Sequence, residues 1–349
     1  MSSLDRDPQT VRGSEWQTCR RGIRDSWLDI AFSFWRGRGF PFFRLSRSDR
    51  EQEFQKLMRR PVVSVADGAF YGSNVGLRLA NSFHPQMWSV KVSRYRTPMD
   101  VFLDDDLLRC AIERAWRVWP ERFGANAASL RRMLKTFPGS ASVSNFRPTA
   151  ARNIIGSLSR DRETILDFSA GYGGRLLGAL TLCRNYVGID PCASQIAGLR
   201  GLLVEVRPLS PVFGTAALIQ GCAEDVLPTL PPRTFDLVFS SPPYFNWERY
   251  SDEPTQSYAR YPSYEEWLQG FLRPTIVESH RVLRRRGRLA INVSGRFRRP
   301  SAEDVTAIAA STGLQLEYSS LLQLARVPYM HPRSNGPTKV EKLLVWTKP

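Results

Sequence analysis

The chain has 349 residues, enough for one large domain or for a core domain with a smaller companion. No run of about 18 uncharged apolar residues occurs, which argues against a membrane-spanning helix. The first residues, MSSLDRDPQTVRGSEWQTCRRG, lack the apolar stretch of a secretory leader. A formal net charge of +16 directs attention to polyanionic partners, nucleic acid first, with a merely solvated basic surface as the alternative.

Along the chain, residues 1–60 come first. Arginines cluster there among tryptophans and phenylalanines, as in CRRGIRDSW and FWRGRGFPFFRLSRSDR. Arginine neutralises phosphate, and aromatic rings stack on bases. The periodicity is weak, so the stretch reads as a flexible arm or a small irregular subdomain. Residues 104–119, DDDLLRCAIERAWRVW, predict a helix. Asp104–Asp106 suit its start, and Leu107, Leu108, Ala111, Ile112 and Trp116 form one apolar face. NAASLRRMLKTF predicts a second helix at 126–137.

From about 145 onward, short apolar runs alternate with helical stretches, the pattern of a parallel α/β sheet. Strands are expected at 164–168, 185–190, 216–222, 235–240 and 288–293, and helices near 148–158, 174–183, 193–204, 264–283 and 302–311. The end differs. Residues 314–320 and 341–348 both read as strands with no helix between them, which predicts a closing antiparallel pair and a loop over 321–340. The chain therefore divides into a basic, mainly helical N-terminal part, 1–140, for target recognition or packing, and a Rossmann-like α/β domain, 141–349. A second basic cluster, RVLRRRGRLAINVSGRFRR at 281–299, holds the run Arg284–Arg286, either a solvated turn or a phosphate contact. Cys19, Cys110, Cys183, Cys192 and Cys222 are scattered, with no CxxC pair, and no metal spacing links His84, His280 and His331. They read as reduced thiols of a cytoplasmic protein that needs no metal.

The first strand of the α/β region runs into LDFSAGYGGRLLGAL. Asp167 closes the strand, and Gly171, Gly173 and Gly174 make a tight turn into a helix. Ligands of open α/β sheets sit at such strand ends, beside a helix N-terminus. The dinucleotide pattern GxGxxG fails, because Leu176 replaces the third glycine. An acid before the loop would also repel a pyrophosphate, whereas it suits the cationic amino-acid end of S-adenosylmethionine. Asp190 ends the second strand, 23 residues after Asp167. An acid there can accept both ribose hydroxyls. The third strand ends in GCAEDV, where Cys222, Ala223 and Glu224 frame an adenine. The alternative is that both aspartates merely cap turns.

The fourth strand ends in FSSPPYFNW, 239–247. Neither proline can donate to a β-ladder, so the strand stops there. With NFRPTAARNII (145–155) before the glycine strand, LDFSAGYGG, SSPPYF and the later AINVS, the chain resembles the S-adenosylmethionine-dependent amino-methyltransferases that modify exocyclic amines of DNA bases. The likeness covers roughly 145–348. It implies a class I methyltransferase sheet, mostly parallel with a closing antiparallel hairpin. It implies S-adenosyl-L-methionine as cofactor, held by Asp167, Phe168, Ser169, Gly171, Gly173 and Asp190, with Arg147, Cys222 and Glu224 beside them. It implies a catalytic tetrapeptide Ser241, Pro242, Pro243 and Tyr244, and Phe245 or Trp247 walling the substrate pocket. Two departures stand out: Phe168 replaces the usual proline, and Cys222 a more usual polar residue.

By the same resemblance the substrate is double-stranded DNA with its target base flipped out. The source is a bacterium or phage, and a cognate restriction nuclease is the implied companion. A leading serine in the tetrapeptide is more typical of N4-cytosine than of N6-adenine enzymes. The competing expectations are an RNA base methyltransferase and an inactive nucleic-acid-binding protein of the same fold. The segment 248–263, ERYSDEPTQSYARYPS, reads as a mobile loop over the site or a plain surface loop.

Overall fold

Apolar positions four apart decide the longest N-terminal helix. In Arg21–Arg38 they are Trp27, Ala31 and Trp35, all buried, one stripe of a 3.6-residue repeat. The structure, a computed structural model, describes residues 10–63, 69–118, 125–209, 214–294, 299–324 and 340–349. It divides into two units, Met1–Arg44 with Pro85–Ser144, and Leu45–His84 with Asn145–Pro349.

The described part of the first unit is built mainly of the helices Gly13–Thr18, Arg21–Arg38, Pro98–Leu103, Asp105–Val118 and Ala127–Lys135. Trp16 stacks on Trp116 with ring centroids 5.8 Å apart. Trp35 Nε1 donates to Ala125 O at 3.0 Å, and Phe40 packs against Trp88 and Phe102. Residues 1–60 read by sequence as a flexible arm or a small irregular subdomain; Trp16, Trp27 and Trp35 are instead buried in a helical core, in keeping with a mainly helical N-terminal part. Arginines instead lie over the outer rings, Arg109 at 4.1 Å from Phe32 and Arg131 at 4.1 Å from Phe43. The helix expected at 104–119 runs Asp105–Val118, with Asp104 Oδ1 accepting the Leu107 N–H at 3.0 Å.

The second unit carries an eight-stranded sheet. Its strands are β1 Ala69–Gly72, β2 Thr164–Asp167, β3 Asn185–Asp190, β4 Ala216–Gln220, β5 Phe235–Ser240, β6 Leu283–Ser294, β7 Gln315–Leu324 and β8 Val340–Thr347. The order is β1-β7-β8-β6-β5-β2-β3-β4. Every pairing is parallel except those of β8, which runs antiparallel to both β6 and β7. Side chains alternate across this sheet. Along β5, Leu237 and Phe239 enter one core with the helices Arg47–Met58, Pro148–Leu158 and Ala193–Val206, while Val238 enters the other with Trp267, Ile276 and Ile308, joined there by Phe235 because the register shifts between Phe235 and Leu237. Helices thus cover both faces, as a mostly parallel sheet requires.

Three boundaries differ from the sequence reading. Leu45–His84 belongs to the sheet-bearing unit and not to the N-terminal part, because Phe54 and Leu57 share a core with Ile154 and Leu158 and β1 pairs with β7. β6 begins at Leu283, not 288, so it includes the arginine run. β7 runs to Leu324 and takes the start of the expected 321–340 loop, whose residues 325–339 lie outside the described ones. No helix among the described residues is long and apolar enough to cross a membrane.

Candidate active site

The carboxyl ends of β2 to β6 share one edge of the sheet. Asp167, at the end of β2, is fully buried. Its carboxylate accepts from Arg175 Nε, Tyr186 OH and Ser240 Oγ, each at 2.7 Å, and from the Ser169 N–H at 3.3 Å, two donors on each oxygen. That leaves no open oxygen for the ammonium expected there. Asp167 instead ties β2, β3, β5 and the helix Gly174–Leu180 together beneath the glycine turn. Phe168 is likewise core, among Leu166 and Ile189. Ser169 stays half-exposed above them, and its carbonyl accepts from Arg175.

The turn needs its glycines for two distinct reasons. Gly173 caps the helix at φ 81°, a left-handed conformation that side chains resist. A Cβ on Gly174 would sit 1.8 Å from Phe146 O, so only a bare α-carbon allows that approach.

Asp190 closes β3 beside this turn. Its Oδ2 accepts the Gly171 N–H at 2.9 Å, and its Oδ1 the Cys192 N–H at 3.0 Å. Burial pushes its pKa up to about 7, with Asp167 adding repulsion, against those two hydrogen bonds and Arg175. Two buried polar atoms without a hydrogen-bond partner among the described residues lie in the same neighbourhood, Tyr172 OH and Gln195 Oε1. Gln195 Oε1 would stand 4.0 Å from a Cβ on Gly171. Tyr172 is set edge-on against His84 at 5.4 Å, and Asp190 and Glu248 are among the charges that act on it. The sequence reading missed both residues. Gln195 had a signal, a polar side chain on the inward stripe of Ile196, Leu199 and Leu202. Tyr172 lay inside the glycine loop itself.

The end of β4 is engaged differently from expectation. The Cys222 thiol donates to Thr255 O at 3.3 Å, and burial pushes its pKa up. Glu224 Oε1 accepts from Arg260 at 2.8 Å and from Tyr261 OH at 3.2 Å. Arg260 also pairs with Asp225 at 2.7 Å, and the Glu253 carboxylate accepts the Ala193 N–H at 3.3 Å. These contacts fasten the segment 248–263 as a strap from the end of β3 to the end of β4. Cys222 and Glu224 therefore hold protein, not an exposed cradle. Arg147 precedes the helix Pro148–Leu158 and donates to Gly72 O at 3.0 Å. Burial lowers its pKa, opposed by Glu341.

The two serines ending β5 face different ways. Ser240 is buried on Asp167, and Ser241 is half-exposed. Ser241 Oγ donates to Asn292 O at 3.3 Å. Beyond it the chain turns tightly, with Phe245 N bonded to Pro243 O at 3.0 Å, Trp247 N to Tyr244 O at 2.8 Å, and Phe245 at φ 41°. Among the described residues no backbone N–H takes the Pro242 carbonyl. Tyr244 is 9% exposed. The Phe245 ring is half-exposed and packs on Tyr264 and Trp267 at 5.6 and 6.0 Å. Trp247 stays half-exposed.

The arginine run lies elsewhere. Arg284–Arg286 open β6 at the opposite edge, where Arg284 pairs with Asp236 at 2.6 Å. From Arg286 to Ser294 the strand spans about 25 Å at the usual rise per residue.

The strand order is that of the Rossmann-like class I methyltransferase fold expected from the sequence. Similar solved structures include an S-adenosylmethionine-dependent methyltransferase from Methanosarcina mazei, at 15% identity and TM-score 0.40, over 56% of this chain and 96% of that one. A TehB-like methyltransferase from Corynebacterium glutamicum is similar at 18% identity and TM-score 0.38, over 64% and 96%. A candidate DNA modification methylase from Thermus thermophilus shares 27% identity at TM-score 0.27, over 37% of this chain and 51% of that one. No family model and no curated protein matches.

Proposed function

We propose that the chain transfers a methyl group from S-adenosylmethionine to the exocyclic amine of a base swung out of DNA, N4 of cytosine ahead of N6 of adenine. The observation that carries this reading is Ser241. Its hydroxyl hydrogen is already engaged by Asn292 O, so its lone pairs are what it offers a ligand, one strand away from the glycine turn.

The turn fits that cofactor. Asp190 keeps lone pairs for the ribose hydroxyls, and Tyr172 OH and Gln195 Oε1 are buried polar atoms that a ligand there would satisfy. Asp167 acts from beneath, holding Arg175 and the turn in place. When bound, the cofactor supplies an electrophilic sulfonium methyl.

An exocyclic amine is a poor nucleophile, because its lone pair is delocalised into the ring. Ser241 Oγ and the Pro242 carbonyl accept its two hydrogens and draw the nitrogen toward tetrahedral geometry. The consecutive prolines fix φ, so the carbonyl is aimed beforehand. Tyr244 stacks on the extruded base. No strong base is required, since the product ammonium loses its proton readily. The net charge of +16 supports a polyanionic substrate, and the leading serine supports cytosine.

The test is tritiated methyl transfer from S-adenosylmethionine to duplex DNA and, in parallel, to RNA, followed by mass analysis of the nucleosides. N4-methylcytosine in DNA is the expected product. Label in RNA alone would replace DNA with RNA as the substrate. Ser241→Ala should lower transfer by about a hundredfold or more, the usual loss when an oriented polar group is removed from a transition state, while cofactor binding persists.

A further inference from the structure

We propose that Asn292, clamped by Glu341, is the positioning residue that makes Ser241 a hydrogen-bond acceptor; this rests on the amino-methyltransferase reading. A serine hydroxyl rotates freely and serves equally as donor or acceptor. The proposed chemistry needs it only as an acceptor, so something must take its hydrogen and hold it.

Asn292 sits on β6, next to β5 on one side and β8 on the other, where Ser240 aligns with Ile291 and Leu343 with Asn292. Its carbonyl takes the Ser241 hydroxyl hydrogen at 3.3 Å. Its side-chain Nδ2 lies 3.5 Å from the same Oγ and donates to Glu341 Oε2 at 2.7 Å. A carboxylate accepts only, so Glu341 fixes which way the amide points. The NH₂ end is thereby turned toward Ser241, and Oδ1 is left buried without a hydrogen-bond partner among the described residues.

Asn292 and Glu341 are 1% and 9% exposed, so water does not do this work for them. An asparagine whose Oδ1 goes unsatisfied costs stability. A purely structural position would be better filled by an apolar residue like its neighbours Ile291 and Val293. The arrangement makes sense when the donor end has a task, and the hydroxyl it faces is that of the proposed catalytic serine.

The experiment compares the full chain with Asn292→Asp, Glu341→Gln and Glu341→Ala, measuring kcat and KM for DNA methylation and the cofactor Kd by calorimetry. Asn292→Asp keeps the shape, but its carboxyl shares a single proton with Glu341 and has none left to give Ser241. It should lower kcat about thirtyfold or more, with cofactor Kd and DNA KM within about threefold. Glu341→Ala should lower kcat similarly, and Glu341→Gln, which can still accept through its carbonyl, should recover most of it. If Asn292→Asp does not fold, the Glu341 pair decides alone. Unchanged kcat, or parallel loss of kcat and cofactor binding with no recovery in Glu341→Gln, would overturn the proposal. A wild-type chain that binds cofactor yet methylates neither DNA nor RNA would overturn the functional reading, and this proposal with it. Active wild type with equally active variants would remove this proposal alone.

Discussion

Asp190 shows how much a residue's surroundings can add to its identity. Its place at the end of the second strand was legible from spacing, since a carboxylate there matches a ribose. Its resistance to charge was not, because burial and the approach of Asp167 arise from the fold. With a pKa near 7 it is partly protonated at neutral pH. Ribose hydroxyls donate to a carboxylate and favour its charged form, so cofactor binding releases a proton. Affinity should be full above about pH 7 and weaken by up to about tenfold per pH unit below it. Calorimetry at about pH 6 and pH 8, in buffers of different ionisation enthalpy, measures both the Kd and the released proton. Equal affinity at the two pH values would reject the idea. Folding has the opposite sign. A folded-state pKa above the ordinary 3.8 means the stability contributed is complete below about pH 4 and lost as pH rises through about 7. Asp167 gives the opposite lesson: the sequence marked the right residue, but its protein partners include Tyr186 and Ser240 from farther along the chain.

Among the elements, the strap 248–263 departs furthest from its sequence reading. A run of polar and aromatic residues gave no hint of what fastens it, because Arg260 reaches Glu224 and Asp225 from 36 and 35 residues away. Regular elements announce themselves by periodicity; ion pairs between loops do not. Arg21–Arg38 is an intermediate case, since glycines and arginines break the pattern that Trp27, Ala31 and Trp35 nonetheless keep. Replacing Arg260 by alanine leaves the nearly buried Glu224 carboxylate without its cation. The strap should then open more often, giving new protease cleavage within 248–263 and cofactor dissociation roughly tenfold faster, on the scale of one lost charged hydrogen bond. Limited proteolysis and stopped-flow fluorescence would measure the two effects. Unchanged cleavage would mean that Thr255 and Glu253 suffice to hold it.

For the whole molecule, the sequence conveyed the sign of the charge but not its geography. The cluster 281–299 looked continuous, yet β6 carries Arg284–Arg286 to the edge away from Ser241. At physiological salt, charges act over about 8 Å, well short of that strand's length. Arg285→Glu should therefore leave methylation of a short duplex within about twofold of wild type. A large loss would mean that DNA reaches the far edge. The sheet itself was largely legible, because seven of its strands contain a run of apolar or alternating residues, although Leu283–Ser294 and Gln315–Leu324 reach beyond theirs. The strand Ala69–Gly72 was not: it follows one glycine and ends on another, with only Phe70 and Tyr71 as large side chains, too little pattern to announce a strand.

That short strand has a bearing on how the molecule comes into being. Ala69 pairs with Leu321, so two segments that touch in the finished sheet are separated by about 250 residues of synthesis. β8, made later still, must lie between β6 and β7. As the chain leaves the ribosome, Phe70 has no sheet to join, and β7 has no lasting place until β8 arrives. Closure of this edge is thus a late event that waits for Val340–Thr347. A nascent chain halted before residue 340 would hold its glycine turn and catalytic tetrapeptide on a sheet that cannot yet be completed.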